Sequence, residues 1–197
     1  MTTSPYRPLK NPYPADYTSN ALRLFVNGLE QWPEAQVLDV GPVCGENISF
    51  LAQRVRRLYV CDIFLFLDRY RRKGLPLSEV WRQLNYSPQT FHGILLWGLF
   101  DHLDECEAGR LVKLCYTMVR PGGMLMVMAL GGQAIPAVVN SFVICDDFRL
   151  YLHPQPHLDL PFHHRQNRDV LGTLAPFSSV KSFIYHNGVR EFLLQRN

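Results

Sequence analysis

Residues 37–62 read VLDVGPVCGENISFLAQRVRRLYVCD, and the order of residue types in that stretch sets the reading of the whole chain. Val37, Leu38 and Val40 form a short, β-prone apolar run of the kind buried in a parallel sheet. Gly41 and Gly45 bracket a tight turn, where glycine permits positive φ and close approach of backbone to a ligand. Ile48, Leu51, Ala52 and Val55 follow at helical spacing. Glu46 falls in the first turn of that helix and Arg54, Arg56 and Arg57 in the last, as the helix dipole favours. A second apolar run, Leu58 to Cys61, ends on Asp62. Strand, glycine turn, helix, strand and acid make a parallel βαβ unit. Such a unit places its ligand at the carboxyl ends of the strands, and the closing acid can hold a ribose through its hydroxyls. The dinucleotide fingerprint G-x-G-x-x-G is not met by Gly41-Pro42-Val43-Cys44-Gly45.

That spacing resembles motif I of the class I S-adenosylmethionine-dependent methyltransferases, a D/E-x-G-x-G-x-G pattern. Asp39, Gly41 and Gly45 match its acid, first glycine and third glycine. Val43 stands where the middle glycine would be, so the motif is degenerate. Asp62 matches the acid that binds the ribose in that family. The resemblance implies that Asp39 orients the turn or the cofactor amine, that Gly41 and Gly45 admit the methionine part past Val43, and that Asp62 takes the ribose hydroxyls. The plainer reading is an α/β domain whose first turn merely uses glycines.

The chain has 197 residues, 47% of them hydrophobic and 19% charged, which is ordinary globular composition for one packed domain. A net charge of +3 lacks the concentrated basic face of a nucleic-acid binder, so no nucleic-acid partner is expected. The basic cluster Arg69, Arg71, Arg72 and Lys73 reads as a solvated helix end. The first residues lack the apolar core of a signal peptide, and no apolar run has the length of a membrane span. Five cysteines never form C-x-x-C, which together predict a reduced cytoplasmic protein without structural zinc. Residues 1–17, rich in proline and tyrosine, read as an arm, with Tyr13 and Tyr17 able to fold over a cofactor. A single domain is expected over residues 18–197.

Thr18 and Ser19 cap a helix carrying Leu22, Phe25, Val26 and Leu29. A crossover helix follows Asp62 and stops at Gly74. Leu77 to Tyr86 is ambiguous between helix and strand. In the family a third strand belongs there and the residue after it contacts the adenine, which points to Asn85; Asn85-Tyr86-Ser87-Pro88 is also plain turn chemistry. Phe91 to Leu103 resembles the family's fourth strand and following loop, F-D-x-[IV]-x-x-x-x-x-[LF]-x-H-[LI], through Phe91, Ile94, Leu95, His102 and Leu103. Trp97 then falls where the backbone meets the methionine part of the cofactor. His102, next to Asp101, is the candidate to accept a proton from an acceptor hydroxyl or amine, with helix capping or packing as the alternative.

Asp104 caps a helix running to Val119. Arg120-Pro121-Gly122-Gly123 turns into an apolar strand, a pattern typical of the same family. Residues 131–166 break the periodicity and read as an acceptor-side loop or lid. Its four histidines, His153, His157, His163 and His164, raise a metal question. The reading chosen is a polar acceptor pocket and no metal, or equally a homodimer interface built from Phe142, Phe148, Leu150, Tyr151 and Leu152. Val180–Tyr185 and Val189–Gln195 around Asn187-Gly188 form a β-hairpin.

The expected fold is α/β: a three-layer α/β/α sandwich on a mostly parallel seven-stranded sheet with a C-terminal antiparallel β-hairpin. The resemblance implies methyl transfer from S-adenosylmethionine to an acceptor, expected to be a small molecule. The competing reading is a catalytically inactive protein of the same fold serving as a binding or scaffold subunit. A nicotinamide-dependent oxidoreductase fits neither the glycine turn nor the C-terminal hairpin.

Overall fold

The computed structural model describes residues 16–131, 135 and 137–197. Tyr13 lies outside the described residues. In chain order the elements are β1 (Tyr17–Thr18), α1 (Asn20–Leu29), β2 (Gln36–Val40), α2 (Gly45–Ala52), β3 (Arg57–Cys61), α3 (Ile63–Arg72), a 3-10 helix (Leu77–Leu84), β4 (Phe91–Trp97), a 3-10 turn (Leu99–His102), α4 (Glu105–Met118), β5 (Val119–Leu130), β6 (Asn140–Ile144), β7 (Arg149–Pro154), α5 (Asn167–Thr173), β8 (Ser178–Ile184) and β9 (Val189–Gln195).

Two sheets result. The larger has six strands in the order β3-β2-β4-β5-β9-β8. β3, β2, β4 and β5 run parallel, while β9 is antiparallel to β5 and to β8. The smaller is antiparallel, in the order β1-β7-β6. Strand alternation divides the core in two. Leu38, Val40, Ile94, Leu96, Leu125 and Val127 face α3, α4 and the Leu77–Leu84 helix. Val37, Leu95, Trp97, Met124, Met126 and Met128 face α1 and the small sheet. Helices therefore cover both faces, as a parallel sheet requires. Among the described residues no helix is long and apolar enough to cross a membrane.

The helices start where the chain supplies caps. Ser19, Asp62 and Asp104 accept backbone N–H groups of the first turns of α1, α3 and α4. On α1, Ala21, Leu22, Phe25, Val26 and Leu29 form the buried stripe. Gly93 lets that helix sit tight on β4: a Cβ there would stand 2.4 Å from Phe25 Cζ.

Three expectations are corrected. The sheet has six strands, because the place of the third strand is taken by the Leu77–Leu84 3-10 helix. Val80, Trp81 and Leu84 turn inward there, and the Trp81 Nε1–H reaches Glu107. Residues 131–166 are not simply a loop, since they hold β6 and β7 of the small sheet. Finally, of the five residues expected at a homodimer interface, Phe142, Leu150 and Leu152 are buried in the chain's own core, and Phe148 and Tyr151 are part-exposed.

Candidate active site

The carboxyl ends of β2, β3 and β4 converge on the glycine turn, the position where open α/β sheets bind ligands. Each of its side chains is set by a local contact. Asp62 ends the β3 run and caps α3: its Oδ1 accepts the Leu65 N–H at 3.2 Å, and its Oδ2 accepts the Val43 N–H at 3.1 Å. One carboxylate thus joins the glycine turn to the next helix, and it remains half-buried rather than enclosed. Each oxygen retains a lone pair for a further donor. Val43 is 58% exposed, so the side chain standing in place of glycine points to solvent and leaves the cleft open. Gly45 starts α2 with nothing within 4 Å of a Cβ built on it. No hydroxyl or carboxylate caps that helix start; the Cys44 sulfur lies against the first-turn N–H groups of Glu46 and Asn47, and its S–H donates to Glu46 Oε2 at 3.1 Å.

The other half of the turn is closed by the chain itself. Gly41 does not have a positive φ; its lack of a side chain makes room for the indole of Trp97, whose Cδ1 would lie 2.7 Å from a Cβ at that position. The Trp97 Nε1–H donates to Asp39 Oδ1. Burial pushes the Asp39 carboxyl up to about 6, and the indole N–H works in the opposite direction. Phe142 of β6 lies over Trp97, and Asn47 of α2 holds that strand by two bonds: its Nδ2 donates to Phe142 O at 2.8 Å and its Oδ1 accepts the Ile144 N–H at 2.8 Å.

Asp101 and His102 follow β4 and are both buried. The Asp101 Oδ2 accepts the Leu130 N–H at 2.7 Å, while its Oδ1 has no hydrogen-bond partner among the described residues. Burial raises its carboxyl to about 7, against the pull of that bond and of Arg190 and Arg165. The His102 Nδ1–H donates to Pro161 O at 2.8 Å, and the ring sits edge-on between Phe64 and Phe162. Burial lowers its pKa to about 4, so at neutral pH it is uncharged and a weak proton acceptor. Its neighbours make it part of a fastening. The His163 N–H donates to Asp101 O at 2.7 Å, Arg165 reaches the carbonyls of Phe100 and Leu103, and Arg190 donates to Arg165 O at 2.7 Å and Leu130 O at 2.7 Å. Residues 161–166 are thereby strapped across the exit of β4.

Asn85 lies apart from this group. It ends the 3-10 helix just before Tyr86, whose ring packs on Tyr59 and on Phe91, the first residue of β4. The Tyr59 hydroxyl reaches Gln36, the first residue of β2. Asn85 is therefore next to the amino ends of the strands, opposite the glycine turn. The sequence did not point to Asn47, Arg165 or Arg190 at the site, and it gave Phe142 only as a homodimer contact. For β7 a signal was present, the alternation of Leu150 and Leu152 with polar residues; for Asn47 there was none. Among the described residues no group of three or more His, Cys, Asp or Glu side chains is placed to hold a metal ion.

No protein-family model matches the sequence, and no curated protein is significantly similar to it. Solved structures do match its fold. The Burkholderia thailandensis 1,6-didemethyltoxoflavin-N1-methyltransferase, solved with 1,6-didemethyltoxoflavin and S-adenosylhomocysteine bound, is 17% identical with a TM-score of 0.55, over 90% of this chain and 79% of that one. The N-methyltransferase NodS from Bradyrhizobium japonicum is 16% identical with a TM-score of 0.53, over 89% and 92%. The [4+2]-cyclase SpnF is 12% identical with a TM-score of 0.56, over 94% and 88%. The chain has the class I S-adenosylmethionine-dependent methyltransferase fold.

Proposed function

We propose that the protein binds S-adenosylmethionine at the carboxyl ends of β2, β3 and β4 and transfers its methyl group to a small-molecule acceptor. The observation that carries this reading is Asp62: a half-exposed carboxylate at the end of the second parallel strand, bonded to the backbone of the glycine turn. It would hold the ribose hydroxyls. The start of α2 at Gly45, with open space where a Cβ would stand, leaves room for the ligand beside it. Similar folds that carry methyltransferase names, two of them solved with S-adenosylhomocysteine, support the choice of ligand.

The sulfonium of the cofactor makes its methyl group an electrophile. The chain's own contribution is then to hold donor and acceptor in line, about 3 Å apart, and to exclude water. Asp62 and the α2 start fix the donor end. The strap of residues 161–166, held by Arg165 and Arg190, and the small sheet wall off the far side. His102 is neutral and enclosed, and Asp101, although raised to about 7, has one oxygen on the Leu130 N–H and the other buried, so the site has positioning groups and no base that faces an acceptor. An acceptor that is already nucleophilic, such as an uncharged amine or an ionised enol or thiol, suits that inventory. Against this stands the covered turn at Gly41, which favours, as a second reading, a partner-binding protein of the same fold without catalysis.

Isothermal titration with S-adenosylmethionine distinguishes the two. The enzyme reading expects saturable binding that falls about ten-fold or more in Asp62→Ala, the scale of losing a charge-assisted hydrogen bond. No heat at millimolar cofactor, with the protein folded, favours the second reading.

A further inference from the structure

The place where a ligand could come nearest the strand ends is occupied by the chain. Trp97 lies on Gly41 at van der Waals distance, its Nε1–H bonded to Asp39. Phe142 backs it, with ring centroids 6.0 Å apart and planes 31° from parallel. Trp97 is 2% exposed and Phe142 1%. The arrangement is built rather than incidental. Gly98, in the left-handed region at φ +65°, follows the tryptophan, and a Cβ there would stand 3.1 Å from Phe142 Cε2. Asn47, from the helix that begins at the glycine turn, fixes the backbone on both sides of Phe142's neighbour Val143.

We infer that Trp97 is the gate of the cofactor cleft: its indole leaves Gly41 and Asp39 before the amino-acid end of S-adenosylmethionine seats, and Phe142 with β6 yields to let it move. The inference rests on the cofactor reading above. On the side of Gly41 where a Cβ would stand, the indole and a ligand exclude each other, because a single added carbon already meets the indole at 2.7 Å. The exchange is chemically balanced at Asp39. The neutral indole N–H leaves the carboxylate, and the ligand's α-ammonium is a charge-assisted donor that can take its place. A ligand that binds only the open form has its apparent affinity reduced by the fraction open. For an open form populated at roughly 0.1–10%, that reduction is about ten- to thousand-fold.

The test uses the full chain labelled with 5-fluorotryptophan, which reports Trp32, Trp81 and Trp97 as separate fluorine resonances, together with calorimetric titration of S-adenosylmethionine. Trp97→Phe removes the bond to Asp39, and Asn47→Ala frees β6 while leaving Trp97 in place. The gate predicts that the cofactor shifts the Trp97 resonance, and that both variants bind more tightly than the wild type, Trp97→Phe by about ten-fold or more. Should Trp97→Phe fail to fold, Trp32→Phe and Trp81→Phe assign the remaining resonance and Asn47→Ala carries the affinity comparison. Cofactor binding with an unmoved Trp97 resonance, or equal affinities throughout, overturns the gate and leaves the cofactor reading intact. Absence of binding in wild type and variants alike overturns the cofactor reading, and the gate with it.

Discussion

At Asp101 and His102 adjacent side chains are shifted in opposite senses by one cause, burial. Ring-proton NMR should find no titration of His102 between about pH 5.5 and 8, since its pKa is lowered to about 4. A midpoint near the ordinary histidine value would contradict the fastened, neutral ring and return it to candidacy as a base. Asp101 yields a stability prediction. Its folded pKa, about 7, is raised above the ordinary 3.8, so the folded state holds the proton more tightly than the unfolded chain. The stability it contributes is full below about pH 4 and is lost as pH rises through about 7. Asp101→Asn cannot titrate, so its urea midpoint should fall less than the wild type's between about pH 5 and pH 8. Parallel falls in the two proteins would show that Asp101 does not set this slope. The sequence placed these two residues next to the cleft, yet it could not show that residues 161–166 enclose them. That enclosure depends on Arg165 and Arg190, which lie more than 60 positions away in the chain.

At the level of elements, the N-terminal helix and the terminal hairpin are joined through Glu191 of β9. Its carboxylate accepts the Tyr17 hydroxyl at 3.0 Å, the Tyr185 hydroxyl at 2.9 Å and the Ala21 N–H at 3.0 Å, and it is fully buried. Burial raises its pKa, and the bonds from Ser19, Ala21, Tyr185 and Tyr17 oppose that rise. Glu191→Ala would take this acceptor from the buried Ala21 N–H, from Ser19 and from the part-buried hydroxyls of Tyr17 and Tyr185, at a cost of about 3 kcal/mol. Glu191→Gln, which keeps a carbonyl acceptor, should cost less. Urea unfolding measures both, and a loss under about 1 kcal/mol for Glu191→Ala would sink the account of this junction. The elements legible in the sequence were those with a local signature: the glycine turn and its acid, the capped helices, and the Met124–Leu130 strand with its alternating faces. Leu77 to Tyr86 was not legible, because Val80, Trp81 and Leu84 suit a strand edge or a tight helix equally. The 3-10 helix prevails where all three side chains reach the core at once.

Over the whole molecule, one sheet presents two different faces. One is a conventional apolar core under α3 and α4. The other ends, at the carboxyl edge of the strands, in a polar and aromatic cluster of Asp39, Trp97 and Asn47 roofed by the small sheet. The fold was readable from the order of parts, since a βαβ unit with a closing acid and a late apolar strand admits few arrangements. The closed state of the cleft was not, because it depends on which way Trp97 faces and on a strand some 40 residues later. On the sequence Val43, Pro42 and Trp97-Gly98 all narrow the cleft; in the structure the Val43 side chain is exposed and it is Trp97 that lies on Gly41. On the proposed function, this covered cleft is a cofactor site anchored on Asp62. A crystal structure grown with S-adenosylhomocysteine tests it most directly. Expected are the ribose hydroxyls on the Asp62 carboxylate, the amino-acid end at Gly41 and Asp39, and the Trp97 indole displaced. A structure with Trp97 still seated on Gly41 and the nucleoside absent from Asp62, at saturating ligand, would contradict it.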